Sequence, residues 1–275
     1  MRNPLSRWKN DLEYTSLVVG WSEDAGKLGD AVTNYLVEKL SGYLYYEIDP
    51  MEFFPLGGVT IEDDLVQFPE SKFYICPDYR LIIFKSTTPS FEFHKFITRV
   101  LDIAEYQCKT REVYSIGSMI SMSSHTKPRQ LLGAFSSPEV KRDLDSYDIE
   151  CNVNFETAPG QKPPLSSWLL WAAQKRNLIG AYLWIPVPFY LMSLPDPKSH
   201  KKMLEFFKQR FKLDININDF DESIKVQNEQ INEARDLYPD VDDSLKRLEN
   251  SLTLSEEDNV KLAKQIEEYL KARTN

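Results

Sequence analysis

The sequence has few of the residues that build metal centres and disulfide frameworks. It contains three cysteines and three histidines among 275 residues. Cys76, Cys108 and Cys151 are odd in number and lie far apart, which predicts reduced thiols rather than disulfides or a zinc site. No metal cluster and no nucleophile–base pair is evident. We therefore expect no metal, no cofactor and no catalytic residue.

Long apolar runs and an excess of basic residues are also missing. No run approaches the roughly 18 apolar residues that a membrane-spanning helix needs, and residues 1–10 lack the apolar core of a signal peptide. The formal net charge is −9 and the pI is about 5.0. A general binder of nucleic acid or of anionic membranes normally has a basic face. We therefore expect a cytoplasmic protein with neither nucleic-acid nor membrane partners.

What is present is organised around residues 15–40. Apolar residues 17–19 predict a buried strand, and the glycine-punctuated residues 20–29 lead it directly into a helix. From Leu28, apolar residues recur at Val32 and Leu36, as in a helix that lies on a sheet. A second strand over residues 43–48 completes a βαβ unit, with parallel strands and a right-handed crossover. The carboxyl end of the first strand is thus the predicted place of a site.

The turn over residues 20–29 can be compared with two phosphate-binding motifs. A Walker loop needs four residues between its first glycine and Gly-Lys, then a hydroxyl residue. Here five residues separate Gly20 from Gly26, and a leucine stands where the hydroxyl belongs. The dinucleotide motif fits at Gly26 and Gly29, but Asp24 occupies its first glycine position and would repel a pyrophosphate. The alternative to nucleotide binding is that Asp24 or a neighbour caps the helix and the glycines permit close packing.

Two motifs in this part of the chain carry a resemblance. The sequence reads Gly20-Trp21-x-x-Asp24-Ala25-Gly26-x-x-Gly29-x-Ala31, then Ile48-Asp49-Pro50-x-Glu52-Phe53. This order resembles the proteasome-assembly-chaperone family typified by the second eukaryotic assembly-chaperone subunit, with archaeal and bacterial relatives. The resemblance continues to about Tyr190. It implies a fold like that of purine nucleoside phosphorylases and a binding function.

The whole chain is predicted to form an α/β domain over residues 10–195 and a helical C-terminal extension over residues 196–275. Apolar strands such as residues 17–19 and 81–84 need cover on both sides, which predicts three layers around a central, mostly parallel sheet. After residue 195, apolar residues recur at helical spacing as far as Leu270. Such helices either fold back on their own domain or contact a neighbouring subunit.

A second polar segment, residues 121–129, concentrates hydroxyls, His125 and two cations. It is the best anion-binding candidate, and the alternative is a solvated loop. No third member of a Ser–His triad can be identified. Any small ligand is expected at the strand-end turn, where Asp24 favours a neutral or cationic group over a phosphate. The candidate ligand-binding residues are Gly20, Trp21, Asp24, Ala25, Gly26, Gly29 and Arg129.

The favoured function is that of a protein-binding or assembly-chaperone-like protein with an unidentified partner. The alternative is an enzyme of nucleoside or amide chemistry, of ligase or hydrolase type, at residues 20–29. The family resemblance implies a homo-oligomer, with a trimer the most plausible, and a further contact with another protein assembly. Large aromatic side chains in predicted loops suit such an interface: Phe53, Phe54, Phe68, Phe189 and Tyr190. Proteasome-docking relatives often end in a hydrophobic residue, Tyr and one more residue, whereas Tyr269 is followed by six residues, so insertion of the tail is not expected.

Overall fold

A sheet of eight strands lies at the centre of the computed structural model, which describes residues 16–55, 59–62, 64–151, 153, 154, 156, 157, 160 and 163–274. In order across the sheet, the strands are β2 (Tyr43–Glu47), β5 (Ser71–Cys76), β6 (Leu81–Ser86), β1 (Ser16–Trp21), β7 (Glu112–Ser121), β10 (Ile179–Pro188), β8 (Leu131–Phe135) and β9 (Ile149–Glu150). A separate hairpin consists of β3 (Thr60–Glu62) and β4 (Leu65–Gln67).

The four central strands, β6, β1, β7 and β10, run parallel to one another. Strands β5 and β8 pair antiparallel on either side of this group. All six residues of β1 are buried, because a central parallel strand is covered on both faces. The mostly parallel sheet predicted from the sequence is confirmed.

Helices cover both faces of the sheet. On one face lie α1 (Leu28–Lys39), α3 (Pro138–Asp143) and α5 (Pro197–Phe211), and on the other lie α2 (Phe93–Asp102) and α4 (Leu165–Lys175). Side chains alternate along β1, so Val18 packs in the core with α1 and α5, whereas Leu17 and Val19 pack in the core with α2 and α4. Burial of each such side chain contributes about 1.5–3 kcal/mol to folding. The predicted three-layer α/β architecture is therefore confirmed.

The first βαβ unit differs in one respect from the simplest arrangement. Strands β1 and β2 point the same way, but the β5–β6 hairpin lies between them and β2 pairs antiparallel with β5. The side chains of β2 are half-buried or exposed, which suits an edge strand. The turn over Pro77–Tyr79 joins β5 to β6 and allows this hairpin to insert.

The last three helices build a core of their own. They are α6 (Asp219–Leu237), α7 (Pro239–Glu249) and α8 (Glu256–Thr274), and they pack on Val187, Tyr190 and Leu191 at the end of β10 and just after it. Helix α5, by contrast, shares the α/β core with α1, although it follows the predicted division at residue 195. The predicted start of the domain at residue 10 lies outside the described residues. Among the described helices, each is too short or too polar to cross a membrane.

Three of the aromatic residues proposed for an interface lie inside the chain. Phe53 is 1% exposed and Phe54 is 6% exposed, and both rings contact Phe96 of α2. Tyr190 is 1% exposed, whereas Phe68 is 59% exposed. The interface expectation is wrong for Phe53, Phe54 and Tyr190, because α2 and the C-terminal helices cover them within one chain.

Candidate functional site

The turn after β1 is held by a carboxylate cap and by glycines that allow close approach. The Gly29 amide donates to both carboxylate oxygens of Asp24, at 3.0 Å each. A Cβ atom on Gly29 would lie 2.3 Å from the backbone oxygen of Trp21, and Gly26 has a φ of 72°. Glycine is therefore required where the helix begins against the strand. The capping interpretation of Asp24 is the arrangement found.

A cavity of about 450 Å³ opens beside this turn, at the carboxyl ends of the central strands. Trp21, Asp24 and Ala25 of the predicted site line it, together with Ser118 of β7 and Tyr182 of β10. Gly20, Gly26 and Gly29 belong to the supporting backbone rather than to the lining. The topology thus brings residues from β1, β7 and β10 to one opening, as expected at the end of a parallel sheet.

The hydroxyl groups at the cavity differ in whether they have hydrogen-bond partners. The Ser166 oxygen at the start of α4 accepts a hydrogen bond from Trp21 Nε1 at 2.9 Å and another from Ser115 Oγ at 2.7 Å. The Ser118 Oγ atom is buried without a hydrogen-bond partner. A buried hydroxyl without a partner costs about 1–3 kcal/mol, so the cavity contains a polar group whose bonding is incomplete.

The electrostatics of the cavity disfavour anions. Burial raises the pKa of Asp24 to about 7, and the neighbouring carboxylate of Asp30 adds to the rise. Burial, followed by the charge of Asp24, raises the pKa of Tyr182 to about 12. Among the described lining residues, the charged side chains are those of Glu23 and Asp24. A phosphate or carboxylate ligand would meet only repulsion from these charges.

Arg129, the last predicted ligand residue, lies elsewhere and is fully engaged. Its Nε atom donates to Asp196 Oδ2 at 2.7 Å, and its Nη2 atom donates to Asp196 Oδ1 at 3.2 Å. The Arg129 Nη1 atom donates to the backbone oxygen of Lys127 at 3.0 Å. The arginine side chain is 3% exposed and that of Asp196 is fully buried. This bidentate pair orders the loop after β7 and leaves the guanidinium turned away from the cavity.

His125 is buried in the same loop. Its backbone amide donates to Tyr190 Oη at 2.6 Å, and its Nδ1 lies 2.9 Å from the same oxygen. Lys198 Nζ donates to the His125 carbonyl at 2.6 Å. Burial, then the charges of Lys198 and Arg129, lowers the pKa of His125 to about 3. The alternative that this segment is a solvated loop is wrong for Ser124, His125 and Arg129, which residues after β10 and at the start of α5 cover, whereas Met122, Thr126 and Pro128 are exposed.

The loop and the turn are connected through the start of α5. The Gly26 carbonyl accepts from the Asp196 amide at 3.0 Å and from His200 Nε2 at 2.7 Å. Sequence reasoning missed Asp196, His200, Ser118 and Tyr182. Gly117 could have indicated one of them, because a glycine inside a strand often marks the close approach of another group, and a Cβ atom there would lie 2.7 Å from the Tyr182 ring.

Comparisons with known proteins agree with this architecture. The sequence profile of the PAC2 family matches residues 17–235. The chain belongs to the PAC2 family. No functionally curated protein matches it. As a PAC2 protein, it has the family's sheet and flanking helices together with the C-terminal helices α6–α8.

Solved structures with this fold come from bacteria and archaea. The proteasome-assembly chaperone homologue Rv2125 of Mycobacterium tuberculosis has a TM-score of 0.67 and 16% identity, covering 80% of this chain and 94% of its own. The archaeal proteasome activator PbaB of Pyrococcus furiosus has a TM-score of 0.68 and 19% identity, covering 83% and 96%. PbaA of the same organism, a homologue of proteasome-assembly chaperones, has a TM-score of 0.64 and 17% identity, covering 89% and 97%.

Proposed function

We propose that this PAC2 protein is a cytoplasmic binding protein that assists the assembly or activity of a multi-subunit protein complex. The observation that carries the proposal is an apolar surface at the carboxyl ends of the central strands. Met119, Ile120, Met122 and Met192 are 41%, 50%, 51% and 49% exposed, and Ile120 and Met192 border the cavity beside Asp24. Exposed methionines suit recognition of another protein, because their flexible side chains adapt to its surface.

A second cleft extends this surface. It has a volume of about 600 Å³, is lined by Phe93, Ile97 and Trp168, and shares Thr88 and Leu165 with the first cavity. We call the two openings and the four exposed side chains at the ends of β7 and β10 the carboxyl-edge face. The bulky side chains of this face resemble those that anchor protein interfaces.

The polar groups nearby favour binding over turnover. Asp24 caps α1, Arg129 pairs with Asp196, and the His125 ring is hydrogen-bonded to Tyr190. An enzyme of nucleoside or amide chemistry would use such groups on a substrate. The named relatives support the binding proposal, because one is described as an assembly-chaperone homologue and another as a proteasome activator. We propose proteasome subunits, or subunits of a similar assembly, as the partner class.

Self-association is part of the same proposal, with a trimer the arrangement we put forward. The β3–β4 hairpin presents Ile61, Leu65 and Val66 at 74%, 65% and 55% exposure, with Phe68 beside it. An isolated two-stranded hairpin is marginally stable, so contact with a second copy would both cover these side chains and stabilise the hairpin. Light scattering should give three times the 32.0 kDa chain mass. A stable monomer at micromolar concentration would contradict the oligomer.

Cross-linking tests the binding function directly. The tagged protein is captured from its own host's extract after cross-linking, and cross-linked peptides are identified by mass spectrometry. We expect links from the carboxyl-edge face to subunits of one complex, and their loss in the double variant Ile120→Asp, Met192→Asp. Val260→Asp is the matched control, because Val260 is 66% exposed on α8. Capture that is unaffected by the double variant would contradict the proposed face.

A further inference from the structure

The cavity beside Asp24 contains an acidic side chain and hydroxyl groups whose hydrogen bonding is incomplete. Asp24 accepts the Gly29 amide, Ser118 Oγ is buried without a partner, and Tyr182 lines the same cavity as Asp24. Among the described residues that line the cavity, none is basic. Burial of acceptors and negative charge in this way is stabilised by an incoming cation that donates hydrogen bonds.

We propose that this cavity is a socket for the ammonium group of a single lysine on the partner protein. The inference rests on the proposed function, because it takes the occupant to be a side chain of the bound protein. Lysine has three N–H donors, and Asp24, Ser118 and Tyr182 are three side chains of this cavity that can each accept one of them. The apolar walls formed by Ile120 and Leu165 match the methylene stem, which lysine buries while its charged head reaches polar atoms.

The capping bond favours lysine over arginine. Arginine binds a carboxylate best as a fork, with two parallel N–H bonds to its two oxygens. The Gly29 amide already lies 3.0 Å from both Asp24 oxygens and so occupies the space between them. A compact ammonium group needs only one free lone pair and can approach from the side.

A lysine of a protein fits the surroundings better than a free amine does. Ile120 and Met192 line the socket and are half exposed, and a protein surface would cover both as the side chain enters. Burial of this rim adds apolar contact that a small amine lacks. Within the carboxyl-edge face, the socket then provides charge specificity and the exposed side chains provide contact area.

The protonation of Asp24 makes the binding pH-dependent. Near neutral pH this carboxyl is partly protonated, because burial and Asp30 raise its pKa to about 7; Glu23 at the mouth and Tyr182 of β10 are the other titratable groups that face the cavity. Lysine, with a pKa near 10.4, stays charged from pH 6 to pH 8. Binding requires the carboxylate form, so it releases a proton and strengthens about tenfold from pH 6 to pH 8.

Nuclear magnetic resonance with the full chain tests the socket. The probe is N-α-acetyl-lysine amide, and N-α-acetyl-norleucine amide is the matched compound without the ammonium group. The signals are the Gly29 amide, which is bonded to Asp24, and the Trp21 indole, which is bonded to Ser166. We expect saturable shifts with the lysine probe and none with the norleucine probe. Absence of a saturable shift with the lysine probe would overturn the proposal.

Two variants separate charge from folding. Asp24→Asn keeps an oxygen for the Gly29 amide, so the helix cap survives, while affinity for the lysine probe should fall about tenfold or more. Glu23→Gln removes the exposed neighbouring charge and should change affinity less than about twofold. Equal affinity in wild type and Asp24→Asn would overturn the proposal.

Capture of the partner protein tests the partner-lysine inference separately from the proposed binding function. We expect Asp24→Asn to weaken capture of the cross-linked partner about tenfold. Asp24→Asn could capture the partner as well as wild type does while the wild type still binds the lysine probe. The socket would then take a free amine. This result would overturn the partner-lysine inference and leave the binding function intact. A wild type that captures no partner at all would refute the proposed function, whereas the probe titration would still decide the chemistry of the cavity.

Discussion

Two neighbouring regions at the same end of the sheet both contain charged and hydroxyl side chains, but these side chains are covered in one region and face a cavity in the other. The loop after β7 contains His125 and Arg129, and both are closed off by Tyr190 and Asp196 from the chain after β10. The turn after β1 contains Asp24, whose carboxylate is bonded to backbone amides of its own turn, with the Gly29 amide 3.0 Å from each oxygen. In the first region charge and hydroxyls serve internal order, whereas the second leaves them facing an opening. The difference teaches that a cluster of polar residues becomes a candidate site only where the rest of the chain leaves it uncovered.

The closed region should suffer most when one member of its ion pair is removed. Arg129→Met leaves Asp196 as an uncompensated buried charge, and we expect a loss of about 3–5 kcal/mol in the free energy of unfolding. Urea denaturation followed by circular dichroism measures it. Arg129→Lys keeps the positive charge but loses the bidentate geometry, so its free energy of unfolding should lie between those of wild type and Arg129→Met. A loss below about 1 kcal/mol would contradict the internal role of the pair.

The open region should show the opposite signature, a carboxylate that weakens the fold when it ionises. The pKa of Asp24 is raised from 3.8 to about 7 in the folded protein, so the stability it contributes is present at low pH and is lost as pH rises through about 7. Between pH 5 and pH 8, wild type should lose about 2–3 kcal/mol relative to Asp24→Asn. Urea midpoints of both proteins across this range measure the difference.

The histidines do not obscure this comparison. Burial lowers the pKa of His125 from 6.5 to about 3, so its stabilising contribution is present above pH 6.5 and is lost as pH falls from about 6.5 toward 3. This loss runs in the opposite direction and is common to both proteins, so it cancels in their difference. A constant gap between wild type and Asp24→Asn from pH 5 to pH 8 would rule out the raised pKa.

The glycine that lets α1 pack closely against β1 in the open region should tolerate no larger side chain. Gly29→Ala places a methyl group against the backbone of Trp21 at 2.3 Å, and backbone cannot rotate away as a side chain can. We expect a loss of about 1–3 kcal/mol, measured by thermal unfolding. Gly160→Ala is the control for added volume, because the space around Gly160 is open, although its φ of 83° adds local strain. Equal stability of Gly29→Ala and wild type would contradict the close approach of helix and strand.

The smallest effects come from two largely buried tyrosines, one in each region. Tyr190→Phe removes the acceptor of the His125 amide and should cost about 1–2 kcal/mol. Tyr182→Phe removes a hydroxyl that faces the open cavity and should change stability by less than about 0.5 kcal/mol. Chemical denaturation of the pair gives both values. A larger loss at Tyr182 than at Tyr190 would reverse the assignment of closed and open regions.

Local patterns were enough to predict the first strand, the glycine turn and the helix, because each depends on neighbours in sequence. The capping alternative for Asp24 was also available from its position five residues before Gly29. The position of β2 in the sheet could not be predicted from local patterns, since strand order depends on the later β5–β6 hairpin. Arg129 and Asp196 are 67 residues apart, and no local pattern indicates their pairing. Ser118 and Tyr182 come to the same cavity as Asp24 through the pairing of β7 with β10.

The central position of β1 also affects how the chain folds during its synthesis. Its two neighbours in the sheet, β6 and β7, are made later, beginning at Leu81 and Glu112. At roughly 5–20 residues per second, a ribosome produces Leu81 roughly 3–12 s after Trp21. For that interval an apolar strand waits without either partner, and such unpaired strands are prone to aggregate. The strand that supports the candidate site is therefore a part of the nascent chain that needs protection during synthesis.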